Sequence, residues 1–586
     1  MEGSPWMFDR NVLPQSLFVP FDVSPLARAR VAMHNSELEP DSDSLLDRYA
    51  CTVSGKGETS DDRRTFYAER YGAVGRSPQG GGARVGTDFG YQVKGIGRTP
   101  LLAARQVDVA YATGDLPLGE AIREHVWGEL LHRVLPFGAV RSAMVIDSGE
   151  RCRRAGVDDG NPTLKRGLLV RQCALRPAHF IRAAYHQKPA RLKIPADRIR
   201  VEEALRVLHN LLPLGEYSDE SAPKSDVDRL LQGLVTFAGR LARQQAVARA
   251  RRFMHGAITP SNLALDARWL DYDSTSRPPV YASCRHYTPG FWDDHASVYQ
   301  VFDSLWFHIC KYIDFPASMV FRKNSLVDLY HERFSEELRL AFLEPTGFPL
   351  ELRRHLGPAS LERARALGTL LVQLAKEGTI DPFPGEAQDM AGYGTYNLSR
   401  VMLVLAAADG EYLDRDLTPW MPPAGTRTRL ATQYVAVRQD FEAAATTAGW
   451  PDGAMRRLTL LNARNLSRQL TLLNGPHLMR HIDQIVLPMD GDALRQSAHQ
   501  LLDGLLRDVA VTFRDSAQEG RVVVGSSSKQ ITTYDARAGQ WLVEYDGGLD
   551  SISPRAMLPE HLRAMTSGHE DVPVSLEEVT NDWYCP

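Results

Sequence analysis

Between Tyr71 and Cys173 apolar and polar positions alternate in short runs cut by glycine, as in YGAVGRSPQGGGARVGTDFGYQVKGIGRTP, which predicts strands joined by tight turns. Ala139 to Ile146 and Gly167 to Cys173 predict two more strands. Between these groups, GEAIREHVWGELLHRVL (119–135) spaces Ile122, Val126, Leu130 and Val134 four residues apart, predicting an amphipathic helix with one apolar face. Beyond about residue 200 the period becomes helical, over 201–212, 227–250, 297–314, 326–343 and 358–376. Three further helical stretches (429–448, 454–474, 491–514) precede Arg521 to Asp546, which alternates like two or three strands. Residues 36–64, rich in Ser, Asp, Glu and Gly, predict a loop.

A β-rich half followed by an α-rich half predicts the α+β class. The expected units are an N-terminal extension with a mobile loop (1–65), a β-rich lobe (66–195), an α-helical lobe (196–420) and a C-terminal helical extension with a small β segment (421–586).

Composition narrows the function classes. The 586 residues are 43% hydrophobic and 24% charged, enough for a large core. A net charge of −4 provides no broad positive field for nucleic acid. No apolar run approaches the roughly 18 residues that cross a bilayer, and MEGSPWMFDRNVLPQ is no signal peptide, so no membrane partner and a cytoplasmic location are expected. The six cysteines are scattered without a CxxC pair, which argues against a disulfide framework or a structural zinc site. The sequence carries no signal of oligomeric state.

Four motifs follow one another in the order of a kinase-type nucleotide site. Gly80, Gly81 and Gly82 in QGGGARVG would let backbone N–H groups approach phosphate oxygens. Lys94, on the strand-like YQVKGIG, would supply a fixed positive charge to them. Glu124 stands 30 residues later on the predicted helix, where kinases place the glutamate that orients that lysine; Glu129 is the competing candidate. In MHGAITPSNLALDARWLDYD, Asn262 follows His255 by seven residues and precedes Asp271 by nine, an oxygen pair suited to Mg²⁺, with Mn²⁺ as an alternative ion.

These residues resemble the selenoprotein O (SelO) family of protein-kinase-like adenylyltransferases, over roughly residues 70–310. The similarity lies in GGGAR, YQVKGIGRTP, AIREHVWGEL, VRQCALRPAHFIRAA and HGAITPSNLALDARWLDYD. It implies a two-lobed kinase-like fold holding ATP and Mg²⁺ between its lobes, and transfer of AMP to a protein or peptide acceptor. It further implies a Lys94–Glu124 ion pair, Asn262 and Asp271 as metal ligands, and Arg171 and Arg182 on the terminal phosphate. Because the arginine spacing is longer here, Arg176 stands as a substitute for either. Cys585 faintly echoes a family redox cysteine.

Two departures bear on chemistry. The family's aspartate before the metal-binding asparagine is Ser261 here, and Ala257 fills the other usual place for a base. A serine hydroxyl is too weakly basic to deprotonate an alcohol near neutrality. Three readings follow: Asp273 or another carboxylate substitutes, the acceptor is itself a carboxylate or amide, or the chain is a catalytically impaired nucleotide-binding scaffold. A kinase releasing ADP is a further alternative.

Overall fold

The computed structural model describes residues 11–552 apart from 56–61, 74–77, 105–112, 153–162, 216–221, 279–280, 282–289, 315–324, 378–397, 409–416, 418–423, 469, 514–518, 527–529 and 546–547. The chain is α+β. Strands β1 (Phe18–Pro25), β2 (Arg30–His34), β3 (Cys51–Val53), β4 (Arg64–Glu69), β5 (Val85–Thr87), β6 (Tyr91–Lys94), β7 (Ser142–Cys152) and β8 (Leu164–Gln172) form one sheet. Its order is β2-β7-β8-β6-β5-β4-β1-β3 and its pairings are antiparallel.

Strand periodicity decides which side chains of β6 meet the helical layer. Val93 joins one apolar cluster with Val170, while Gln92 and Lys94 point to the opposite face, opposite Arg171 and Leu169 of β8. On that face lies the helix Leu118–Val134. It is not the amphipathic surface helix that its spacing predicts. Ile122, Val126 and Leu130 are buried, but so are His125, Trp127, Glu129 and Leu131 on its other sides. The reason is distant in sequence: helices Gly475–Val486 and Gly491–Thr512 cover the side turned away from the sheet. A Cβ on Gly119 would come within 3.0 Å of Met479.

Other expectations shift in similar ways. The segment read as an N-terminal extension contributes β1, β2 and β3 to the sheet, and the expected loop 36–64 contains the helix Ser42–Tyr49. That helix is capped by Asp41, whose side chain accepts from the N–H groups of Asp43 and Ser44. The helical half runs through Asp197–Leu211, Asp226–Ala250, Ser297–Tyr312, Ser325–Ala341, Pro358–Glu377, Leu398–Ala407, Ala424–Thr447 and Ala454–Leu466. The last of these stops before the expected residue 474, and the chain restarts as Gly475–Val486. Strands β9 (Arg521–Ser526), β10 (Gln530–Asp535), β11 (Gln540–Tyr545) and β12 (Gly548–Ile552) form a second antiparallel sheet. One continuous core runs from Leu13 through the helices to Trp541 of β11. Among the described residues no helix is long and apolar enough to cross a membrane.

Candidate functional site

Lys94, at the end of β6, is sealed beneath the Leu118–Val134 helix. Its Nζ lies 2.5 Å from Glu124 Oε2, donates also to Asp271 Oδ1, and stands 3.8 Å from Asp273 Oδ2. The three carboxylates each place an oxygen within 4.8 Å of the others. Their side-chain exposures, 1% for Glu124, 27% for Asp271 and 44% for Asp273, rank them from the floor of the site to its opening. Burial alone would push the Lys94 ammonium down; Asp271, Asp273 and Glu124 outweigh it and hold the lysine charged well above its ordinary range. Burial likewise opposes the charge on Asp271, but Lys94, Arg171 and Arg84 hold that carboxyl far below the usual carboxylate range.

The loop that presents Asp271 is tied down at both ends. Asp294, just before the Ser297–Tyr312 helix, accepts the N–H of His255 on Oδ2 (3.0 Å) and of Gly256 on Oδ1 (3.1 Å). Gly256 takes φ +76°, and a Cβ there would stand 2.5 Å from the Ser274 carbonyl, so the turn admits glycine alone. The buried His255 ring packs edge-on to Trp269. The Ala257 N–H donates to its Nδ1, so Nε2 carries the proton and donates to the Leu270 carbonyl at 3.0 Å. Asp271 itself adopts φ +67°, a strained conformation that turns its carboxylate back to Lys94.

Behind the carboxylates lies a ring of arginine contacts. Arg171 Nη1 pairs with Glu124 Oε1 at 2.7 Å and its Nε donates to Gln92 Oε1 at 3.1 Å. Arg176 donates to the same Gln92 oxygen (3.2 Å) and to the Ser261 carbonyl (3.0 Å), with its guanidinium 5.1 Å from the Tyr71 ring centre. The buried Arg176 Nε has no hydrogen-bond partner. Gln92 donates in turn to Glu69, which accepts from His179 at 3.2 Å.

Several expected site residues stand elsewhere or face differently. Glu129 is not a partner of Lys94: it clasps Arg141 and accepts from Asn35, leaving Glu124 as the orienting glutamate. The Arg182 guanidinium lies 3.7 Å from Asp197, outside the ring that joins Arg171 to Arg176. The three glycines are buried: the His186 ring covers Gly80, Gly81 is bridged to Arg70, and the Gly82 N–H already donates to the Glu69 carbonyl (2.8 Å). Asn262 lies across a short hairpin from Leu270, accepting its N–H at 3.2 Å, yet its amide donates to the Ala257 carbonyl and its Oδ1 accepts from Ser261. Among the His, Cys, Asp and Glu side chains of the described residues, Glu124, Asp271 and Asp273 form a group whose oxygens could hold a divalent ion. Ser261 Oγ bonds Thr259 Oγ1 and Asn262 Oδ1, neither of which is a base. Cys585 lies outside the described residues.

Gln92, Glu69, Arg84 and Asp294 were not expected. Gln92 had a signal, since it sits two residues before Lys94 and so on the same face of the strand. Asp294 reads in sequence as an ordinary acidic residue preceding a helix. No family model matches the chain, and no curated protein is significantly similar to it in sequence.

Proposed function

We propose that the chain is an ATP- and Mg²⁺-dependent nucleotidyltransferase of two-lobed, protein-kinase-like design that transfers AMP to a protein or peptide acceptor. The observation that supports this reading is the junction of three distant elements on one ammonium: Lys94 of β6, Glu124 of the Leu118–Val134 helix and Asp271 of the His255 loop. The donor set fits the ion, because Mg²⁺ and Mn²⁺ take carboxylate oxygens and Asp271 and Asp273 are the two that reach the opening. When bound, the ion supplies neutralisation of phosphate charge. Lys94 is held rigid by Glu124, so a phosphate oxygen would meet a positioned charge rather than a mobile one. Of the two arginines that share Gln92, Arg176, with its orphaned Nε, is the one with hydrogen-bonding capacity left for a further phosphate oxygen.

In AMP transfer the acceptor oxygen bonds the α-phosphorus, the bond to the bridging oxygen breaks, and pyrophosphate leaves. A hydroxyl acceptor would lose its proton to Asp273, the most exposed carboxylate of the three. The bonding of Ser261 to Thr259 and Asn262 favours a second reading, in which the acceptor is a carboxylate and no proton need be removed.

Incubation with ATP labelled at the α- or γ-phosphate tests the proposal. AMP on an acceptor, with pyrophosphate released, is expected, and Lys94→Ala and Asp271→Ala should each abolish it. Release of ADP would make the chain a kinase. Retained nucleotide-dependent stabilisation without any turnover would leave a scaffold. Absence of any Mg²⁺-dependent rise in melting temperature with ATP would remove the nucleotide site altogether.

A further inference from the structure

Behind the carboxylates, the cross-strand partners Tyr67, Thr87, Gln92 and Arg171 run in one row across β4, β5, β6 and β8. Glu69 stands two residues beyond Tyr67, hence on the same face, and its carboxylate meets the Gln92 amide. Glu69, Gln92, Arg171, Arg176 and His179 are each at most 3% exposed, so the hydrogen bonds among them decide which way each group faces.

The direction of those bonds is fixed from one end. The Arg176 backbone N–H can only donate, and it donates to His179 Nδ1 at 3.0 Å. His179 therefore carries its proton on Nε2 and donates to Glu69 Oε2 at 3.2 Å. Burial opposes a charge on Glu69, but the His179 hydrogen bond and the Arg176 and Arg171 charges hold its carboxyl below its ordinary range, so both its oxygens accept. Oε1 takes the Gln92 amide N–H. That leaves the Gln92 oxygen on the far side, where Arg171 Nε (3.1 Å) and Arg176 Nη2 (3.2 Å) both donate to it. Turned the other way, the amide would set its NH₂ against two guanidinium groups, neither of which can accept.

We infer that Glu69 is a positioning residue for the arginine pair, acting through Gln92. It decides which end of the Gln92 amide Arg171 and Arg176 meet, and so holds the two guanidinium groups side by side before any ligand arrives. The consequence for binding rests on the nucleotide reading above: Arg176, fixed in this way, meets a phosphate of ATP already in place.

Glu69→Gln isolates this role. His179 still needs an acceptor, so the introduced amide turns its oxygen to His179 and its NH₂ to Gln92, which reverses to accept it and shows its own NH₂ to the arginines. Each arginine keeps one other bond, to Glu124 and to the Ser261 carbonyl, so the pair loosens in place. Adding Gln92→Glu restores an acceptor toward both arginines, with the net charge and side-chain size of wild type.

The full chain labelled on its arginine nitrogens reads the pair without ligand. The Arg171 Nε–H resonance, assigned by its loss in Arg171→Lys, is protected from solvent exchange in wild type. It loses about tenfold of that protection in Glu69→Gln and regains it in the double variant. Calorimetry reads the consequence: the Kd for Mg²⁺–ATP rises about tenfold in Glu69→Gln, the worth of one charge-assisted hydrogen bond, and returns to within about threefold of wild type in the double variant. If Glu69→Gln alone fails to fold, the double variant decides, since it must fold and show the protected resonance. Unchanged protection and Kd in Glu69→Gln, or losses that Gln92→Glu does not recover, overturn the role of Glu69. A wild-type chain that binds no Mg²⁺–ATP, while the resonance behaves as stated, overturns the nucleotide reading and leaves the hold of Glu69 on the arginines supported.

Discussion

The two ends of one loop handle buried charge in opposite ways. At the upper end, Lys94 meets Glu124 and Asp271, and Arg171 meets Glu124 and Gln92, so each of these buried cations has an anionic or amide oxygen within hydrogen-bond distance. At the foot of that loop, where Met254 and Ser276 pair, Arg277 has among the described residues the Arg251 carbonyl and the Phe513 ring face. A matched cluster and an unmatched one respond differently to loss of a cation. Removing a member of the first strands its partners in a dry interior; removing a member of the second relieves an uncompensated charge.

The largest effect should therefore come from Lys94→Met. Glu124 would remain buried and Asp271 half-buried with their shared partner gone, and chemical denaturation should show a loss of about 3 kcal/mol. Turnover, if the proposed function is right, falls below detection in the same variant. A stability equal to wild type would show that the cluster does not depend on its lysine. Next comes Asp294→Ala, which releases the His255 and Gly256 N–H groups together. Loss of two hydrogen bonds to one charged, buried carboxylate should cost about 2 kcal/mol and raise amide exchange at those two positions.

Legibility followed the same division. Lys94, Glu124 and Asp271 were readable because each sits in a local motif and the three motifs come in order. Their convergence needed only the alternation of β6 and the register of one helix. The counter-charges were not readable. Arg84 and Glu69 reach the cluster by sheet pairing, Asp294 by a contact across 39 residues to His255, and none carries a local mark of its role. The apolar stripe of the Leu118–Val134 helix was visible, but its burial on the remaining sides depends on helices more than 340 residues later. Shorter but still non-local pairings, such as Phe18 with Glu69 and Arg30 with Asp147, hid the way residues before 65 enter the sheet.

Arg277→Met in phosphate-free chloride buffer is the third test and the smaller one. With the charge removed and a similar volume of aliphatic chain kept, the melting temperature should hold or rise slightly, opposite in sign to Lys94→Met. A fall comparable to that of Lys94→Met would mean that Arg277 has a counter-charge after all, and the contrast between the two ends would collapse.

His125 sharpens the contrast, because its buried ring has no hydrogen-bond partner but can discharge. It follows Glu124 on the same helix and points away from the site; neither of its ring nitrogens has a hydrogen-bond partner. Burial, reinforced by His499, Arg141 and His34, pushes its pKa down from 6.5 to about 3. The folded chain therefore holds this ring neutral while the unfolded chain protonates it below pH 6.5. Between those limits the unfolded state binds more protons, so stability rises with pH, is complete above 6.5, and is lost on acidification at about 1.4 kcal/mol per pH unit. His179, His255 and His295 are also pushed down by burial and add to the total, which is why the difference between two chains is the useful quantity. His125→Leu should match wild type within about 0.5 kcal/mol at pH 8, since no hydrogen bond is lost. At pH 5 it should be the more stable of the two by about 2 kcal/mol. Parallel stability curves for the two chains between pH 8 and 5 would mean that the folded ring accepts its proton freely, and that a buried group here need not be either paired or neutral.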